Sequence, residues 1–141
     1  MIYFFLLKLI LLFYNNIKNM KSIDYFFNNI NLNVKYLIGV NKKANFDIID
    51  LSNKNDIWFH LKDNPSCHVI AQISDLNIDK KKLKYIIKQG GVFCKQFSKF
   101  KSEKNVEIIY TSLKNIEKTD VLGTVLNISY KNNTNKNYLQ I

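Results

Sequence analysis

Residues 56–69, Asp56-Ile57-Trp58-Phe59-His60-Leu61-Lys62-Asp63-Asn64-Pro65-Ser66-Cys67-His68-Val69, decide how the rest of the chain is read. Side chains alternate between the two faces of an extended strand. Asp56, Trp58 and His60 therefore share one face, and Ile57, Phe59 and Leu61 the other. Pro65 cannot donate to a hydrogen-bond ladder and marks the connection as a turn. Beyond it Cys67 to Ile73 is extended again, with His68, Ile70 and Gln72 alternating against Cys67, Val69, Ala71 and Ile73. The second set in each strand is the more apolar and predicts the core face. A symmetric loop centred on Asn64 places His60 opposite His68, Trp58 opposite Ile70, and Asp56 opposite Gln72. Opposed side chains have Cβ atoms ~5 Å apart. Both histidines of the chain then meet on the less apolar face, and a slip of one residue would separate them.

Upstream, Ile23 to Ile30 and Val34 to Val40 are short runs rich in β-branched and aromatic residues, separated by Asn-rich turn material. They predict two strands in a hairpin. Asn41 to Leu51 reads as a loop or short helix. Downstream, Asp79 can cap the clearest helix, over about 79–100, where Leu83, Ile86, Ile87, Val92, Phe93, Phe97 and Phe100 recur at roughly helical spacing. Gly90-Gly91 in its middle implies either close approach to a sheet or a break into two pieces. Val106 to Tyr110, Val121 to Ser129 and Asn137 to Ile141 are further strand candidates, the last two joined by a Lys-Asn-Asn-Thr-Asn-Lys turn. Strands before and after one principal helix argue for an α+β domain with a mainly antiparallel sheet, not for βαβ repeats.

With 141 residues the chain has room for one domain, and at 47% hydrophobic content it can bury a core. Two cysteines, Cys67 and Cys94, are too few for a disulfide scaffold or a Cys-rich zinc site. Composition also excludes collagen, a coiled coil, a multispan membrane protein and a large multidomain enzyme. Lys plus Arg is 21 against 11 acidic residues, a net charge of +10, and every basic residue is Lys. Such a balance favours polyanions, either nucleic acid or an anionic membrane surface. Lys, Asn and Ile share A/T-rich codons, however, so biased base composition produces the same excess. The first 14 residues are apolar apart from Lys8. As a helix they would reach about 21 Å, short of the ~30 Å hydrocarbon core. We read residues 1–19 as a leader outside a domain that starts at Met20; the alternative is a membrane anchor over residues 1–14.

Two facing histidines suit several chemistries. As metal ligands they need a third partner, and Asp56 and Asp63 are the nearby candidates. The signatures H-E-x-x-H and C-x-x-C are absent. Cys67 points away from His68 under strand alternation, which argues against a Cys–His nucleophile. The histidines can instead satisfy one another in a cross-strand cluster, or line a ligand surface beside Trp58, where a base could stack. Gly39 is followed by Val-Asn-Lys-Lys-Ala-Asn, which is no phosphate loop, although Lys42 and Lys43 can still meet a backbone phosphate.

The run Asp56 to His60 followed by Ser66-Cys67-His68-Val69 resembles the D-L-W-F-H…G-S-H-V block of the NFACT-R domain. That module occurs in fibronectin-binding-protein-A-like and nuclear-export-mediator-factor-like proteins of ribosome quality control, and in a small eukaryotic coiled-coil-domain-containing family. The similarity extends upstream through Ile38-Gly39-Val40, Asn45, Asp47 and Ile48. Downstream it continues through Gly90-Gly91, Ser98-Lys99, Val106 to Thr111, Lys114, Lys118, Gly123 and Val125, covering about residues 20–141. The resemblance implies an α+β RNA-binding module without catalysis, cofactor or small-molecule substrate, cytoplasmic, with tRNA or rRNA as partner and the large ribosomal subunit as its setting. Ser66-Cys67 departs from the family's Gly-Ser, as does Asn41 where a basic residue is frequent. On this resemblance Lys42, Lys43, Lys62, Lys99 and Lys101 are expected at phosphates. Asn45, Asp56, Trp58, His60 and His68 are expected to form the patch that adds shape or base contacts. Two rivals stand beside it: a scaffold docking on a protein or membrane through the leader and the basic surface, and a metal-dependent hydrolase built on His60, His68 and Asp56.

Overall fold

The computed structural model of the chain describes residues 1–18, 20–128 and 137–141. Helix α1, Ile2–Lys18, precedes two strands, β1 (Met20–Phe27) and β2 (Leu32–Gly39). These pair as an antiparallel hairpin from Met20 opposite Gly39 to Phe27 opposite Leu32. Asn31 closes their turn at a φ of 46°, a left-handed conformation that Asn tolerates. Helix α2, Lys42–Asp50, follows at once, and its cap is Asn41, whose side-chain oxygen accepts from the Ala44 N–H at 2.8 Å.

Strands β3 (Ile57–Leu61) and β4 (His68–Gln72) are antiparallel, with Trp58 opposite Ile70 and Phe59 opposite Val69. The connection between them is thus symmetric about Asn64, as the sequence predicts. Helix α3 (Lys80–Gln96) leads to β5 (Glu107–Ser112), a single 3-10 turn (Leu113–Asn115), β6 (Ile116–Lys118), β7 (Val125–Asn127) and β8 (Tyr138–Gln140). The architecture is α+β: a six-stranded antiparallel sheet in the order β1-β2-β4-β3-β5-β8, and a separate two-stranded ribbon of β6 and β7.

The central strands β3 and β4 are buried on both faces, whereas the edge strands β1 and β8 keep exposed residues. On one face of the sheet, Val34, Tyr36, Ile38, Ile57, Phe59, Leu61, Val69, Ala71 and Ile108 pack under α3 through Ile86, Phe93 and Cys94. On the other, a smaller core joins Leu37, Trp58 and Ile70 to Ile48 of α2, Leu113 and Ile116. Gly90-Gly91 does not break α3. A Cβ on Gly90 would lie 2.2 Å from the ring of Phe59, so the glycine lets the helix backbone rest on that ring. Asp79 caps α3 as expected, its carboxylate accepting from the Lys82 N–H at 2.8 Å.

Three expectations change. The helix stops at Gln96, not near residue 100, because Ser98 turns the chain: its hydroxyl donates to the Lys95 carbonyl at 2.7 Å and accepts from the Phe100 N–H at 3.1 Å. Of the strand expected over 121–129, the described residues to 128 form only β7, which pairs with β6, while β8 pairs with β5. The turn over residues 131–136 lies outside the described residues. Along α1, residues Ile2 to Leu12 expose their apolar side chains, and among the described residues no helix is long and apolar enough to cross a membrane.

Helix propensity alone makes Gly90→Ala stabilising by about 1 kcal/mol. The buried Phe59 ring reverses the sign, and we expect a net loss of about 1–3 kcal/mol, read as a lower urea midpoint at unchanged m-value. A midpoint at or above that of the parent contradicts the close packing of α3 on β3.

Candidate nucleic-acid interface

Trp58 and His60 project from β3, and His68 from β4, on the face opposite α3. Continuing the register of Trp58 and Ile70 sets the two histidines across from each other, and their ring centroids lie 5.1 Å apart at 85°. The indole N–H of Trp58 donates to Nδ1 of His68 at 3.2 Å, with the two rings perpendicular and 5.4 Å apart. On its other side Trp58 stacks on His60, 5.6 Å between centroids and 5° from parallel. His60 Nδ1 lies 2.6 Å from the Leu61 carbonyl and donates to it. Trp58 is 2% and His68 3% exposed, whereas His60 is half-buried.

These bonds assign both tautomers. His68 accepts at Nδ1, so its proton is on Nε2. His60 donates at Nδ1, so its Nε2 carries a lone pair. Burial lowers the pKa of His68 to about 3, with neighbouring His60 adding to the effect. Burial lowers that of His60 as well, partly opposed by its bond to the Leu61 carbonyl. Both rings are therefore neutral near pH 7, one offering a donor and the other an acceptor.

Backbone packing holds this arrangement. Asn45, buried in α2, accepts from the His68 N–H through Oδ1 at 3.0 Å. Gly39 allows the approach, since a Cβ there would stand 2.2 Å from that same oxygen. Ser66 fixes the β3–β4 loop, accepting from the Leu61 N–H at 3.1 Å and donating to the Cys67 carbonyl at 2.9 Å. Cys67 turns to the α3 side, its thiol donating to the Cys94 carbonyl at 3.8 Å.

The rings open into a pocket of about 400 Å³ whose polar lining includes Lys42, Asn45, Ser66, His60 and His68. Its outer wall is the turn of the β6–β7 ribbon, Leu122 to Val125. Gly123 in that turn has a φ of +78°, and a Cβ on it would meet the Lys42 backbone at 2.8 Å. Lys118 binds the ribbon to α2 as well, pairing with Asp50 and lying 5.2 Å over the Phe46 ring. Strand alternation in β3 and β4 carries no information about this wall. The signal available in the sequence is Gly123 itself, a turn residue between two short apolar runs.

The remaining expected residues are distributed unevenly. Lys42 is exposed at the pocket and has no acidic partner among the described residues. Lys43 is its neighbour and pairs with Asp47 at 3.2 Å. Trp58, which alternation presents as a surface where a base could stack, belongs to the pocket lining but is only 2% exposed, so it offers little ring face and orients His68 and supports His60. Asp56 is 1% exposed, and its carboxylate accepts from the N–H groups of Asn53, Ile73 and Ser74 and from the Ser74 hydroxyl, so it fastens the start of β3 to the end of β4 away from the pocket. Lys62 pairs with Glu107 at 3.1 Å and lies 4.7 Å over the Tyr138 ring, outside the pocket lining. Lys99 and Lys101 are exposed in the turn after α3, where Phe100 packs into the core on that side of the sheet. They do not join the pocket. No group of three or more His, Cys, Asp or Glu able to hold a metal ion occurs among the described residues.

Residues 23–128 match the family model described as the NFACT protein RNA binding domain. The chain belongs to the NFACT-R family. That family is an RNA-binding one and not a catalytic one. The NFACT-R fold of this chain is also similar to a solved structure, the C-terminal of the fibronectin/fibrinogen-binding protein from Streptococcus suis, with a TM-score of 0.66 at 20% identity. The match covers 85% of this chain and 45% of that one, so the chain spans less than half the length of that solved relative. No curated protein matches this chain.

His68 titrates near 3 in the folded chain and near 6.5 when unfolded. Between those values the unfolded state binds the extra proton, so stability present above pH 6.5 is lost as the pH falls. The slope reaches ~1.4 kcal/mol per pH unit for this one group. Urea midpoints at pH 7 and pH 5 should fall accordingly in the parent and fall less in His68→Gln. Equal pH dependence in the two chains contradicts the buried neutral ring.

Proposed function

We propose that this NFACT-R chain binds structured RNA, either tRNA or rRNA, in the cytoplasm as part of translation surveillance on the large ribosomal subunit, and that it does no chemistry on it. The observation that carries this reading is a neutral imidazole donor–acceptor pair lining a pocket beside Lys42, whose ammonium has no acidic partner among the described residues. A family of RNA-binding modules supplies the ligand class. Lys42 and Lys43 begin α2, where the helix dipole disfavours cations and an external phosphate would be welcome. The excess of lysine over acidic residues supplies affinity that does not depend on sequence.

Anisotropy titrations of bulk tRNA across salt concentrations test this reading. Binding should weaken steeply with salt, and Lys42→Ala should weaken it further and lower the logarithmic salt slope by about one. Absence of binding at low salt, or binding without a salt slope, contradicts it.

One observation favours a second reading, docking on a membrane through residues 1–14: the apolar side chains of α1 from Ile2 to Leu12 are exposed. A helix of that kind can lie in the interface of an anionic bilayer. Flotation with vesicles containing phosphatidylserine should then recover the full chain and lose it on Leu7→Asp/Leu11→Asp. Recovery that these changes leave untouched removes α1 as the contact.

A further inference from the structure

We infer that the pocket takes a single unpaired nucleotide, its base edge read by His60 Nε2 and His68 Nε2–H and its phosphate held at Lys42; this specifies the ligand of the RNA-binding site proposed above and rests on that reading.

Size sets the first limit. About 400 Å³ accommodates one nucleotide and no helix. In an A-form duplex the base edges lie in a deep, narrow groove or a shallow one crowded by 2′-hydroxyls. Groups at the base of a recess therefore meet only a base that has left the stack, at a cost of a few kcal/mol within a stem and little in a loop.

Chemistry sets the second. His68 is nearly buried and lines the pocket; Trp58 occupies its Nδ1, and no hydrogen bond joins its Nε2–H to an acceptor among the described residues. Every side-chain nitrogen or oxygen closed off from solvent among the described residues has a partner, so this N–H is reached from the pocket and can donate to an acceptor brought there. His60 Nε2 is the matching acceptor, on a ring 5.1 Å away. Each of the four bases carries an acceptor next to an N–H donor on one edge, which is the complement of this pair. An anion finds no cation at that depth, because both imidazoles are neutral. The apolar part of the lining, Trp58, Pro65, Ile109, Leu122 and Val125, suits the face of a base and not a phosphate. Lys42 is the one lysine in the lining, so the sites for charge and for the base are separate.

The test compares an RNA hairpin carrying a loop of unpaired nucleotides with a blunt duplex of the same stem, by anisotropy at fixed salt. The hairpin should bind about tenfold more tightly, the worth of one to two hydrogen bonds. His60→Phe, which keeps a ring against Trp58 and removes the acceptor, should narrow that gap to under threefold. A second measurement uses the unaltered chain, so it does not depend on how the variant folds. The four nucleoside 5′-monophosphates are added one at a time at millimolar concentration while imidazole ¹⁵N shifts are recorded. Movement of His60 and His68 Nε2 with at least one of them supports the inference. Equal binding of hairpin and duplex, or shifts confined to lysine, overturns it while leaving RNA binding in place. Binding of neither RNA at low salt overturns the RNA reading itself.

Discussion

An indole N–H buried in a sheet must find an acceptor, because leaving it unpaired forfeits the whole cost of its desolvation. In this chain the acceptor is Nδ1 of His68, one strand away. That single bond determines which nitrogen of His68 carries the proton, and so what the pocket presents. It also requires a particular register, since Trp58 opposite Ile70 is what brings the indole alongside the imidazole. Asn45 secures the same strand from the other side through the His68 N–H, and Gly39 makes room for it. The polar cluster is thus satisfied inward and open outward.

The two faces of the sheet divide the work. Under α3 the packing is close, with the Phe59 ring against the Gly90 backbone and with fully buried aliphatic neighbours. The opposite face holds only a small core of six buried residues, joined to α2 and to the 3-10 turn. What α2 leaves uncovered is bounded by the β6–β7 ribbon, which sits on Lys42 through Gly123 and is tied to Asp50 through Lys118. The pocket is the remaining gap. Rigid packing on one face thereby fixes the geometry of the chemistry displayed on the other.

Much of this was legible in the sequence where strong local rules apply. Period-two alternation sorted Ile57, Phe59 and Leu61 from Trp58 and His60, and loop symmetry paired the histidines. Asp79 announced its helix. Other features depend on non-local contacts. Alternation says which residues share a face but not whether that face is covered, so the burial of Trp58 was invisible. Asp56 precedes β3, and its carboxylate turns to backbone groups that alternation does not describe. β6, a strand of three residues, carries no measurable period, and although the strand near the end of the sequence was legible, its pairing with β5 joins segments distant in the chain that no local pattern connects. Lys99 and Lys101 flank Phe100, which packs against the core beneath α3, and neither belongs to the pocket lining, a placement that no local pattern announces.

Trp58 holds His68 neutral with its proton on Nε2. Long-range ¹H–¹⁵N spectra of the imidazoles at pH 7 test it most directly. His68 should show an unprotonated Nδ1 and a protonated Nε2, His60 the reverse, and His68 no imidazolium signature down to pH 5. A His68 ring that is cationic at pH 6, or protonated at Nδ1, would contradict it.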